Sequence, residues 1–135
     1  IQLRTNLTKK EIIARLALEE SNKMILEKSS IIEEKNKEIN DSISYAQRIQ
    51  RAVLPKTDIP QGIIDDCFVL FKPKDKVSGD FVWYTKAKNG QFIIAVVDCT
   101  GHGVPGAMVS IVCNNALNKT VLEYHITEPG KILDK

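Results

Sequence analysis

The chain has 135 residues, 19 of them basic and 17 acidic, so its charge is nearly balanced. Residues 1–54 carry 10 basic and 8 acidic groups and residues 55–135 carry 9 and 9, so neither part has the basic excess of a nucleic-acid binder. No apolar run approaches the length of a membrane span and no signal peptide is visible at Ile1, which points to a cytoplasmic chain without nucleic-acid or membrane partners.

Three cysteines, Cys67, Cys99 and Cys113, form an odd set with no metal-ligand spacing, as expected of reduced thiols in a cytosolic protein. Ile1 is not an initiator Met, so the chain reads as a piece of a longer one. Residues 1–54 contain no Gly or Pro, which predicts one long helix. Leu18, Ile25, Ile32, Ile39, Ala46 and Val53 fall seven apart, the repeat of a coiled-coil seam. The companion positions, Asn22, Ser29, Asn36, Ile43 and Gln50, are mostly polar, so the seam is a weak one with register-setting amides. A single solvated helix leaning on its own domain and a parallel homodimer that carries a signal along its length both fit. The dimer is the favoured arrangement.

Pro55 cannot continue the helical ladder and closes the segment. Lys56 to Gly62 reads as a linker, and from Cys67 the pattern turns to strands. Cys67–Phe71 is expected as a first buried strand, Phe81–Thr85 as a second and Gln91–Val97 as a third. Asn89-Gly90 predicts a two-residue hairpin turn between the last two. An antiparallel hairpin there places Asp80, before the second strand, beside Asp98, after the third. Two carboxylates at one end of a sheet are suited to a hard divalent cation.

Asp98 is followed by Cys99-Thr100-Gly101-His102-Gly103-Val104-Pro105-Gly106, a glycine-studded turn that lets a ligand approach the backbone closely. Formally it matches the G-x-G-x-x-G dinucleotide pattern, but that fingerprint opens a parallel βαβ unit, and here the preceding connection is a hairpin. His102, between Gly101 and Gly103, is a candidate ligand or acid of lower rank than the two aspartates. Val104 to about His125 is predicted as an amphipathic helix with Pro105 in its first turn and Val109, Cys113, Ala116, Leu117, Val121 and Tyr124 on its apolar face. Glu128-Pro129-Gly130 reads as a turn, and Lys131–Lys135 as the start of a further helix.

Val77-Ser78-Gly79-Asp80-Phe81 followed by Val97-Asp98-Cys99-Thr100-Gly101-His102-Gly103-Val104-Pro105-Gly106-Ala107 resembles the SpoIIE-type branch of the metal-dependent, protein phosphatase 2C-like serine/threonine phosphatases. Ala46–Pro55 is similar to the helix that leads into that domain. The resemblance covers roughly residues 43–133. It implies, over 55–135, the first part of an α-β-β-α sandwich with antiparallel strands, which with the long coiled-coil helix read over residues 1–54 makes the expected fold α+β. It further implies dephosphorylation of phosphoserine or phosphothreonine in a bacterial signalling protein, by a water activated between two Mn²⁺ or Mg²⁺ ions and under control of the helix. By the same resemblance Asp98 bridges the metals, the backbone carbonyl of Cys99 binds one, and Asp80 holds a metal directly or through water. The family draws further aspartates from the later part of its domain, and Asp134 matches none of them, so these 135 residues are expected to be inactive alone. The alternative is a non-catalytic dimerisation and signal-transmission module.

Overall fold

A computed structural model describes residues 2–57, 59 and 67–135, with side chains from residue 8 onward. The chain is α+β: a long helix α1 (Gln2–Val53), strands β1 (Phe81–Lys86) and β2 (Phe92–Val97), helix α2 (Gly103–Asn118) prolonged by a π-helical turn (Lys119–Glu123), and a short α3 (Pro129–Leu133). Residues up to Asp41 form one unit, and Ser42–Lys135 form a second, compact one. Among the described residues no helix is long and apolar enough to cross a membrane.

In the first unit α1 is a solvated helix. Its surface carries the exposed pairs Arg15–Glu19 (3.1 Å) and Lys35–Glu38 (2.7 Å), each contributing a few tenths of a kcal/mol at helical spacing. Leu18, Ile25, Ile32 and Ile39 are all more than half exposed, leaving the heptad stripe open along this stretch.

The second unit begins with the last turns of α1, residues the sequence reading grouped with the helical segment 1–54. Leu54 N–H still reaches the Gln50 carbonyl at 2.9 Å before Pro55 stops the ladder. Lys56, Thr57 and Ile59 are non-helical, and the rest of the expected linker to Gly62 lies outside the described residues.

The two strands pair antiparallel from Phe81↔Val97 to Lys86↔Phe92. Alternation along β1 buries Phe81 and Trp83, and Ile93, Ala95 and Val97 of β2 pack on the same core with Cys99, Cys113, Leu117 and Val121. Trp83 is 1% exposed and satisfies its indole N–H on Asn118 Oδ1 at 3.0 Å. The outer face of the sheet is apolar and open, with Val96 83% exposed.

The expected two-residue turn is a three-residue loop, Lys88–Gly90. Gly90 N–H bonds the Ala87 carbonyl (2.9 Å), Ala87 N–H bonds the Gln91 carbonyl (2.8 Å), and Gly90 has φ +87°. This is a type I turn closed by a left-handed glycine, the other common way for an Asx-Gly pair to end a hairpin. Asn89 Oδ1 caps the turn by accepting from Gln91 N–H at 3.0 Å.

Two expectations are corrected. Cys67–Phe71 forms no strand and has no ladder partner among the described residues, and Phe68 and Leu70 are 90% and 86% exposed. A strand needs a neighbour as well as β-branched or aromatic side chains. The apolar stripe foreseen for the second helix holds in half: Val121 is buried and Cys113 and Leu117 pack half-buried on the core, whereas Val109, Ala116 and Tyr124 are exposed and Gly106, Ala107, Ser110 and Asn114 are buried instead. These small and polar side chains are buried because their face lies against the end of α1, where Asn114 Nδ2 donates to the Val53 carbonyl (3.3 Å).

Candidate functional site

The hairpin register brings the two acidic turns together. Since Phe81 faces Val97, the next residues outward, Asp80 and Asp98, end adjacent strands on the same edge. Asp80 is exposed at the mouth of the site, and its backbone N–H is held by Ser78 Oγ at 3.0 Å. Its carboxyl is raised above the ordinary aspartate value, first by the partial loss of solvent against its loop and then by the hydrogen-bonding contact and like charge of Asp98. Two acidic side chains held this close repel when both are ionised, and a cation between them relieves that repulsion.

Glycines set the approach of the two turns. A Cβ at Gly79 would stand 2.9 Å from the Cys99 carbonyl oxygen and 3.0 Å from that of Gly101. A Cβ at Gly106 would stand 2.6 Å from the Gly101 oxygen and 3.3 Å from the Gly79 Cα. The Ser78–Asp80 turn, the Asp98–Gly101 turn and the first turn of α2 are therefore stacked backbone on backbone. Gly101 (φ +93°) and Gly103 (φ +64°) supply the left-handed conformations that fold the second turn into α2.

Asp80, Asp98, Cys99, Gly101, His102 and Gly103 all line one cavity of about 530 Å³, together with Lys72, Lys74 and Asp75. Asp75 was not anticipated by the sequence reading. It sits 3.7 Å (Oδ2) from His102 Nδ1, and both side chains are solvent-accessible. Its only sequence signal is its place in Lys72–Lys76, a polar run just ahead of the Ser78-Gly79-Asp80 turn. His102 is the N-cap residue of α2 but makes no side-chain cap hydrogen bond. The Cys99 side chain is buried, and its thiol is pushed up to about 11 by burial and by the neighbouring Cys113. A thiol so held stays protonated at neutral pH and is no nucleophile, which leaves the backbone carbonyl as the group Cys99 can offer.

Among the described residues, no group of three or more His, Cys, Asp and Glu side chains stands close enough together to hold a metal ion. What the two turns offer is a carboxylate pair beside backbone carbonyls, all of them oxygens. Oxygen groups of this kind are the ones hard divalent cations take as ligands, and two carboxylates are fewer than such cations usually use.

The sequence reading also missed Gln50, which it treated as a polar companion of the heptad. Gln50 is 7% exposed. Its Nε2 donates to the Ser78 carbonyl (2.5 Å) and to Ser110 Oγ (2.9 Å), and its Oε1 accepts from Ser78 N–H (3.3 Å). One turn earlier Gln47 Nε2 donates to the Lys76 carbonyl at 2.6 Å, and Lys76 Nζ donates to Ser44 Oγ at 3.0 Å. The loop that presents Asp80 is therefore fastened to the end of α1 by side-chain amides.

Comparison of the chain with protein-family models, with curated proteins and with solved structures found no match. The functional reading rests on the motifs and on the geometry of this site.

Proposed function

We propose that this chain carries the entry part of a metal-dependent phosphoprotein phosphatase of the SpoIIE type, acting on phosphoserine or phosphothreonine of a signalling protein in the cytoplasm. The observation that carries the reading is the juxtaposition of Asp80 and Asp98 at one hairpin end, close enough for Asp98 to raise the Asp80 carboxyl. Asp98, Asp80 and the Cys99 carbonyl are the groups that would hold Mn²⁺ or Mg²⁺. Two such ions, when bound, acidify a shared water and offset the charge of a phosphoryl group. The chain's own part is to fix the carboxylates: the glycine stack sets their spacing, and Gln50 fixes the Ser78 end of the loop that leads into Asp80. Control through α1 follows from the same contacts, since any displacement of its last turns is felt directly at Ser78.

A second reading, a dimerisation and signal-transmission module without activity in these 135 residues, is favoured by the open stripe of Leu18, Ile25, Ile32 and Ile39. The two are compatible, because a homodimer joined through α1 is a means of delivering a signal to the catalytic unit. Calorimetric titration with Mn²⁺ tests the site itself. Two carboxylates predict weak binding that Asp98→Asn abolishes, together with slow or absent turnover of a phosphopeptide by this chain. Equal Mn²⁺ affinity in the parent and in Asp98→Asn would remove the metal from this position.

A further inference from the structure

Beside the carboxylate pair lies a second cavity, a cleft of about 540 Å³ between the end of α1 and the segment leading into β1. Asp80 lines both, so the cleft opens onto the site. Its size is that of a pocket that takes a ligand or a few peptide side chains. The wall is apolar where Leu54, Phe71 and Phe81 face it, and Phe71 is 41% exposed there. The charged groups are Arg51, Lys56 and Lys76, with Asp80 the only acid among the described residues that line it. Lys76 is engaged by Ser44, whereas Arg51 and Lys56 are exposed. Among the described residues, cations left in solvent around an apolar floor, with an acid only where the cleft meets the site, complement a chain that is acidic and apolar by turns.

We propose that this cleft is the docking groove for the substrate of the phosphatase read above, and that the substrate is an acidic peptide segment. Glutamate or aspartate side chains next to the phosphorylated residue meet Arg51 and Lys56, an apolar side chain lies on Phe71 and Leu54, and the phosphoryl group reaches past Asp80 into the neighbouring cavity. This rests on the phosphatase reading for the identity of the phosphoryl site, but the charge preference of the cleft is independent of it. Three labelled peptides separate the two: one with a phosphoserine flanked by glutamates and leucines, its unphosphorylated serine counterpart, and a phosphorylated counterpart with lysines in place of the glutamates.

Fluorescence anisotropy with the whole chain is expected to show both glutamate peptides binding, and the lysine peptide binding roughly tenfold more weakly or worse, as reversing two exposed charge contacts implies. Arg51→Glu combined with Lys56→Glu, at solvent-exposed positions that leave the fold intact, should remove that preference. Addition of Mn²⁺ should strengthen only the phosphorylated glutamate peptide, and Asp98→Asn should cancel that increment alone. Equal binding of glutamate and lysine peptides, no binding at all, or an unchanged preference in the double variant overturns the groove. A change in self-association of the double variant without peptide binding would identify a second copy as the occupant and overturn it likewise. A persistent glutamate preference without any Mn²⁺ increment would instead count against the phosphatase reading and leave the groove standing.

Discussion

Gln50→Leu is the substitution that isolates the hold of α1 on the acidic loop. Leucine matches glutamine in helix propensity and keeps most of its bulk, so α1 itself is not disturbed. What disappears is the donation to the Ser78 carbonyl at 2.5 Å, the donation to Ser110 Oγ at 2.9 Å and the acceptance from Ser78 N–H at 3.3 Å. Each ordinary intramolecular hydrogen bond contributes about 0.5–1.5 kcal/mol net, and groups left unpaired in a partly buried place cost more. The two shorter bonds and the stranded Ser78 groups together predict a loss of about 2–4 kcal/mol. Trp83, the single tryptophan and 1% exposed, reports unfolding of this unit directly. In urea the fluorescence midpoint should fall while the slope stays constant, since the surface exposed on unfolding is the same. Gln50→Glu adds a control with a sign. It keeps an acceptor for Ser78 N–H but sets a buried carboxylate against the Ser78 carbonyl, so its stability should recover as pH falls and the carboxyl protonates. A Gln50→Leu protein within about 0.5 kcal/mol of the parent, the range of an ordinary surface substitution, would refute the idea that this amide fastens the loop.

Three further outcomes are expected. Gly106→Ala places a Cβ 2.6 Å from the Gly101 carbonyl oxygen; because backbone must move, it should destabilise by about 1–3 kcal/mol and weaken Mn²⁺ binding, and an unchanged urea midpoint would contradict the stacked-turn geometry. The Asp80 carboxyl is raised by loss of solvent and by Asp98, so the stability it contributes is complete below the ordinary value of 3.8 and is lost as pH rises through the raised value. Asp80→Asn should flatten that part of the metal-free pH profile of the thermal midpoint and reduce the stabilisation by Mn²⁺ at neutral pH; an identical profile in the variant would show that the pair does not repel. Ile32→Asp with Ile39→Asp should abolish self-association through α1 by placing uncompensated charge on the seam, and sedimentation showing the unsubstituted chain to be monomeric would dispose of the dimer.

The parts of this structure visible in the sequence are those governed by local rules. Absence of Gly and Pro gave α1 its length, Asn89-Gly90 marked the hairpin, and apolar runs on both sides of it fixed β1 and β2 to within a residue. The meeting of Asp80 and Asp98 follows from that hairpin, so the pair is legible from the spacing of the two strands alone. Long-range contacts were not. Phe68 and Leu70 have the composition of a strand, yet whether a strand forms depends on a partner that no local pattern names. Ser110 and Asn114 look like solvent positions of α2, and their burial is decided by Gln50 and Val53, about 60 residues away in the chain. A cue was present in the small residues Gly106, Ala107 and Ser110, three and four apart on one helix face, which mark a close approach of other backbone. Asp75 and His102 share a cavity only because two loops fold towards each other, a matter of tertiary geometry.

The ladder that runs from the three-residue loop at Lys88–Gly90 acts as the ruler of the site, although that loop lies at the opposite end of the hairpin. Six residue pairs separate it from the acidic end, the last of them Phe81↔Val97, a distance of about 20 Å at the usual rise of a strand. Removing a single residue from β1 would be a counting error transmitted along the ladder to the acidic end. Every pair between the cut and the acidic end would slip by one, that part of β1 would exchange its faces, and Asp80 would sit opposite Val97. Changes in the hairpin should therefore divide sharply: side-chain changes in the loop, and even its shortening to two residues, are absorbed at the turn, whereas a change of strand length parts Asp80 from Asp98 without touching either.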